Sequence, residues 1–144
     1  MLEWMHDPQV TAYLRMDGAG MTIPDAKAFI RGAADCRENA HFALVDGEDA
    51  YLGTVSLKHI DEGARSAEFA IALRKEAQGL GAGTFAAFSI LEYGFHERGL
   101  DRVWLDVVSA HGAAVACYER AGFICRGPLP EPVTLHGTAY TMLR

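Results

Sequence analysis

At 144 residues, half of them hydrophobic and 22% charged, the chain has the size and composition of one globular domain with a buried core, spanning 1–144. A net charge of −6 without any basic stripe excludes extended nucleic-acid binding, although a local anion site needs only backbone amides at a helix terminus. Cys36, Cys117 and Cys125 are odd in number and lack a CxxC pair, so they read as reduced thiols with neither a disulfide framework nor a metal site. No apolar run reaches membrane-spanning length and Met1 to Asp7 lack a signal-peptide layout, which makes the cytoplasm the expected compartment.

In chain order, Asp7-Pro8 opens a short helix over 8–14, and Thr22-Ile23-Pro24-Asp25 starts a second whose body runs over 26–37. A strand over 41–45 ends at Asp46-Gly47 and returns as a hairpin partner over 51–58. A third strand over 66–73 is mostly apolar and therefore central. A helix over 82–98 follows, with Phe85, Phe88, Leu91 and Phe95 on its apolar face and Gly99 as its stop. A strand over 102–108, a helix over 112–120 ended by Gly122, and strands over 123–126 and 138–143 complete the pattern. This order predicts an α/β domain with one mixed sheet flanked by helices.

Between the third strand and its helix stands Gln78-Gly79-Leu80-Gly81-Ala82-Gly83-Thr84. Three glycines leave amides unshielded, and the helix behind them points its positive end the same way, which suits phosphate oxygens. A Walker loop would need a lysine before Thr84, and a dinucleotide fingerprint would need an acidic residue after the next strand, whereas Asp101 comes before it. An ATP- or NAD-binding reading is disfavoured on both counts.

The order strand, Gln78-x-x-Gly81-x-Gly83, helix, strand and then Tyr118-Glu119-Arg120-Ala121-Gly122-Phe123 resembles the GNAT superfamily of acyl-coenzyme A-dependent N-acyltransferases. Leu2 to Pro8 and Gly53 to Leu57 look like the branch that acetylates ribosomal-protein N-termini, amino sugars and polyamines. Such proteins usually carry a strand before the Trp4 segment, so either the sheet lacks its first strand or the natural start lies upstream of Met1. The resemblance implies a mixed, mostly antiparallel sheet with a splay between central strands. It implies acetyl-coenzyme A as donor, with no metal, and a small-molecule or peptide amine as acceptor.

Carried over residue by residue, Gln78, Gly79, Leu80, Gly81, Ala82, Gly83 and Thr84 become the pyrophosphate site. Ile71, Ala72 and Leu73 become the strand beside the pantetheine arm and acetyl carbonyl. Tyr118 becomes the acid that protonates the departing thiolate, against a plain reading as a packed aromatic. Glu68, the only charge inside its strand, is a candidate general base or else a solvated strand-end residue. His111 stands where many relatives carry an asparagine on the pantetheine arm; its alternative is an exposed first-turn residue. Arg74 and Arg120 are either arms toward the cofactor phosphates or, more commonly for a lone surface arginine, simply solvated, and Cys117 reads as a small buried residue with no activating neighbour. Two functions stay open here: catalytic N-acetyl transfer, or an acyl-coenzyme A-binding regulatory module without turnover. An exposed terminal strand could pair two subunits as a homodimer.

Overall fold

The computed structural model describes residues 1–144. β1 (Ala40–Val45), β2 (Tyr51–Asp61) and β3 (Ser66–Leu73) form an antiparallel meander in which Gly53 pairs with Leu73 and Lys58 with Glu68. α4 (Ala82–Glu92), prolonged by a π-turn over Tyr93–Glu97, carries the chain back so that β4 (Arg102–Trp104) joins β3 in parallel. The result is a four-stranded sheet in the order β1-β2-β3-β4. α1 (Leu2–Met5), which the sequence pattern had not shown, α2 (Pro8–Thr11) and α3 (Ile23–Ala34) precede the sheet; α5 (Gly112–Arg120) follows β5 (Val107–Val108).

The expected strand over 102–108 is broken at Leu105-Asp106. β5 leaves β3 and pairs instead with β8 (Met142–Leu143), antiparallel, through Val107↔Leu143 and Val108↔Met142. An ion pair between the buried Asp106 and the half-exposed Arg144 holds that break. The Asp106 carboxylate accepts two bonds from the Arg144 guanidinium at 2.7 and 2.8 Å, which itself lies 4.5 Å over the Trp104 ring. Beyond the Glu68↔Trp104 pair, the remainder of β3 therefore has no strand on its β4 edge. This is the expected splay.

Two further expectations are corrected. Residues 123–126 form no strand, because Gly127 at φ 117° and Pro128 interrupt the ladder. They run alongside the chain end through Arg126 N–H to the Arg144 carbonyl at 2.6 Å. The strand over 138–143 splits in two. β7 (Thr138–Tyr140) forms a hairpin with β6 (Val133–Leu135) around His136-Gly137, both at positive φ, while β8 serves β5. One sheet becomes a four-stranded sheet and two short ladders.

Alternation along β3 sorts its side chains. Phe69 and Ala67 join the main core under Ala86, Ala87 and Ile90 of α4, with Leu57 fully buried at its centre. Ala72 faces the opposite side, against Trp4, Met5 and Val10 of α1 and α2. α3, capped by a reciprocal Thr22–Asp25 box, covers that side too and sets Phe29 edge-on to His41 at 4.9 Å. The apolar stripe expected on α4 points outward: Phe85 and Phe88 are exposed while the alanines are buried. Small side chains let the helix axis approach the sheet closely, and a helix apolar on both faces gives periodicity nothing to choose by. No helix is long and apolar enough to cross a membrane.

Candidate functional site

The open edge of β3 is the starting point. Arg74 N–H donates to the Leu52 carbonyl at 2.9 Å, which marks Arg74 as a residue bonded to β2. Bonding in an antiparallel ladder alternates, so Ala70 and Ala72 also face β2, and Phe69, Ile71 and Leu73 turn their amides to the splay. Of the three strand candidates, Ile71 and Leu73 thus present backbone groups there. Ala72 does not; its amide belongs to the β2 side and its methyl packs on the Trp4 cluster.

The Leu73 carbonyl accepts the side-chain amide of Gln78 at 3.1 Å, so Gln78 folds back and fastens the glycine loop to the end of β3. Gly79 (φ 75°) and Gly81 (φ 84°) take left-handed backbone, and a Cβ at either would meet no atom within 4 Å. Gly81 is the N-cap of α4, and the first intrahelical bond runs from Phe85 N–H to its carbonyl at 3.0 Å. The amides of Ala82, Gly83 and Thr84 consequently lack helical partners and open outward at the positive end of the helix. Leu80 is exposed beside them. Gly83 has a second duty: a Cβ there would lie 3.3 Å from Cys117 Sγ, so its smallness lets α4 meet α5. Thr84 Oγ1 touches the same sulfur at 3.5 Å. A mostly apolar cleft of about 680 Å³ opens beside the loop, lined by Leu44, Leu52, Leu80, Gly81 and Phe85 with Arg74 at its rim.

Tyr118 projects from the last turn of α5, edge-on to Phe69 at 5.4 Å and to Phe123 at 6.0 Å. It lines a second cleft of about 690 Å³ together with Leu105, Val107 and Phe123. Burial, and then neighbouring Cys117, push its phenol above the usual tyrosine range, so it holds its proton. His111 is the N-cap of α5 and not an exposed residue: its ring is half-buried and stacks on Tyr13 at 4.6 Å. Desolvation lowers its pKa from 6.5, so the imidazole is neutral at pH 7.

Glu68 lies at the closed end of the splay, opposite Trp104, with its side chain on the α1–α3 side by alternation. It is largely buried and bonded to His59 Nδ1 at 2.7 Å, which sets aside the reading as a freely solvated residue. Arg74 is tied to Glu76 at 3.1 Å, and Arg120 is exposed. Several polar side chains on that side were not singled out from the sequence. Ser56 Oγ bonds His41 Nδ1 at 2.6 Å, the Tyr51 hydroxyl bonds Thr54, and His59 meets Glu68. Their signal was present in the period-2 polar positions Thr54, Ser56 and Lys58 of β2.

Comparison with known proteins gives the family and the fold. The family model described as Acetyltransferase (GNAT) domain matches residues 1–124. The spermidine N(1)-acetyltransferase of Vibrio cholerae serotype O1 is 33% identical over 96 residues, 67% of this chain and 56% of that protein. The spermidine N(1)-acetyltransferase of Escherichia coli K12 is 34% identical over 110 residues, 76% of this chain and 58% of that protein. The chain therefore spans less than two thirds of the length of these curated relatives. The solved structure of spermidine N-acetyltransferase from Vibrio cholerae in complex with CoA and spermine superposes with a TM-score of 0.86 at 23% identity, covering 99% of this chain and 86% of that one.

Proposed function

The chain belongs to the GNAT acetyltransferase family, and from that premise we propose that it is an N-acetyltransferase that moves an acetyl group from acetyl-coenzyme A to a small primary amine. One observation carries the reading. The edge of β3 that β4 leaves uncovered at Ile71 and Leu73 is tied by Gln78 to the glycine loop, whose amides with those of the first turn of α4 lack helical partners. That track suits a long donor with a phosphate-rich end and a carbonyl end. Both empty Cβ positions, at Gly79 and Gly81, leave the amides free to approach phosphate oxygens.

In this reading Gly79 to Thr84 hold the pyrophosphate, and Leu73 and the neutral His111 flank the pantetheine arm. The Ile71 amide steadies the oxyanion formed when the amine attacks the thioester. Glu68 takes the amine's proton, directly or through a water, and Tyr118 gives its own to the departing thiolate. A phenol kept protonated by burial fits that second role. Cys117 takes no covalent part, since it is wedged between Gly83 and Thr84.

The acceptor is a polyamine. Its support is the spermidine N(1)-acetylation for which the relatives are named, together with the net charge of −6. The test is coenzyme A release from acetyl-coenzyme A with spermidine, spermine, putrescine, an amino sugar and a peptide N-terminus. Fastest turnover with the polyamines is expected. Acetyl-coenzyme A binding without release for any amine would overturn the enzymatic reading, and preference for the sugar or the peptide would overturn the acceptor.

A further inference from the structure

We propose that His59 is a positioning residue for Glu68, aiming one carboxylate oxygen at the acceptor amine. The inference rests on the acetyl-transfer reading above, and it adds a residue that neither motif contains.

The backbone is the first observation. Along a regular β2, His59 would follow Leu57 to the α4 side of the sheet, away from Glu68. Instead the register shifts between Lys58 and Asp61, and His59 adopts φ 50°, a left-handed conformation that costs a non-glycine residue about 1–2 kcal/mol. The shift turns the imidazole onto Glu68. The second observation is what holds it there. Asn39 Oδ1 accepts the His59 N–H at 3.0 Å, and the Glu38 carbonyl accepts the Ile60 N–H at 2.8 Å, so the segment before β1 pins both residues of the irregularity.

The third is the contact itself. With Glu68 ionised, His59 Nδ1–H donates to Oε2 at 2.7 Å. The carboxylate is mostly buried, its side chain 16% exposed, while the imidazole is 69% exposed. One oxygen is thereby fixed, and no protein hydrogen bond holds Oε1, which leaves it free for the acceptor amine. Lys58 pairs opposite Glu68 on β2, and Arg144 acts on it by charge from above Trp104. Neither is placed to set the orientation of the carboxylate by a hydrogen bond. A base that must meet its proton within about 3 Å gains from such fixing.

The experiment compares His59→Ala, His59→Gln, Glu68→Gln and the double variant His59→Ala/Glu68→Gln, with the amine that the wild type acetylates best. His59→Ala lowers kcat roughly 10-fold, less than the roughly 10²–10⁴-fold that loss of the general base itself costs, with KM for the amine and acetyl-coenzyme A affinity within about 2-fold. His59→Gln, which keeps a donor, recovers part of the loss. The double variant is no slower than Glu68→Gln alone, because His59 acts only through that carboxylate. Without any substrate, the ¹⁵N resonance of His59 Nδ1 moves between wild type and Glu68→Gln. Unchanged kcat in His59→Ala, a further loss in the double variant, or an unmoved Nδ1 resonance would each overturn the assignment. Release of no coenzyme A by the wild type with any amine would overturn acetyl transfer itself, and the role of His59 with it.

Discussion

Gly81 and Gly83 are two residues apart in one loop, yet the structure gives them opposite reasons to be glycine, and alanine separates those reasons. At Gly81 there is room for a side chain but the backbone sits at φ 84°. An L-residue held in that region costs about 1–2 kcal/mol, and no contact offsets it. At Gly83 the backbone is helical but a Cβ would press within 3.3 Å of Cys117 Sγ and 3.5 Å of Leu73 Cδ1. There alanine gains up to about 1 kcal/mol of helix propensity and loses a similar amount to the tight contact. Gly81→Ala should therefore lower Tm by about 2–8 °C, and Gly83→Ala should leave it within about 4 °C of wild type. Gly81→Leu should in addition abolish acetyl-coenzyme A binding, because its side chain can extend only into the space the phosphates need. Differential scanning calorimetry reads the first pair and isothermal titration the second. A Gly81→Ala protein as stable as wild type would refute the backbone argument. Full acetyl-coenzyme A affinity in Gly81→Leu would refute the phosphate site.

Tyr118→Phe should lower kcat by roughly 10²-fold or more, as expected for loss of a general acid, while acetyl-coenzyme A affinity stays close to wild type. Because burial raises the Tyr118 pKa, the rate should show no loss from phenol ionisation up to about pH 10, the ordinary tyrosine value. Asp106→Ala strands the Arg144 guanidinium over Trp104 and should cost about 1–3 kcal/mol in urea unfolding, a figure reduced because Arg144 is about half exposed. His41 and His111 both have pKa values lowered by desolvation, His41 also by Lys58. The unfolded chain then binds more protons, so their stabilising contribution is present above pH 6.5 and fades as pH falls through the folded values. Tm should drop from pH 7.5 to 5.5, and a His41→Gln/His111→Gln double variant should flatten that slope.

Much of this protein was legible along the chain. Turn and cap chemistry at Asp46-Gly47, Thr22–Asp25 and Gly122 marked the ends of elements, because those preferences act over a few neighbouring residues. The spacing of Gln78, Gly81, Gly83 and Tyr118 marked the family for the same kind of reason: a loop of amides at a helix start is a local construction. What periodicity could not decide was direction in three dimensions. α4 is apolar all round, and only packing against Val55, Leu57 and Phe69 chose its alanine side over its phenylalanine side. The stretch 102–108 is uniformly strand-like, yet the long-range pair of Asp106 with Arg144, 38 residues away, decides that it serves two sheets. Glu68 advertised itself as a lone charge in an apolar strand, but its partner His59 was hidden. Strict alternation places residue 59 on the far side of the sheet, and only a register shift pinned by Asn39 brings it round. Local propensities thus determined which segments and which loop this chain would have. The splay, the buried faces and the surroundings of Glu68 came from contacts between distant residues, whose energies no single segment contains.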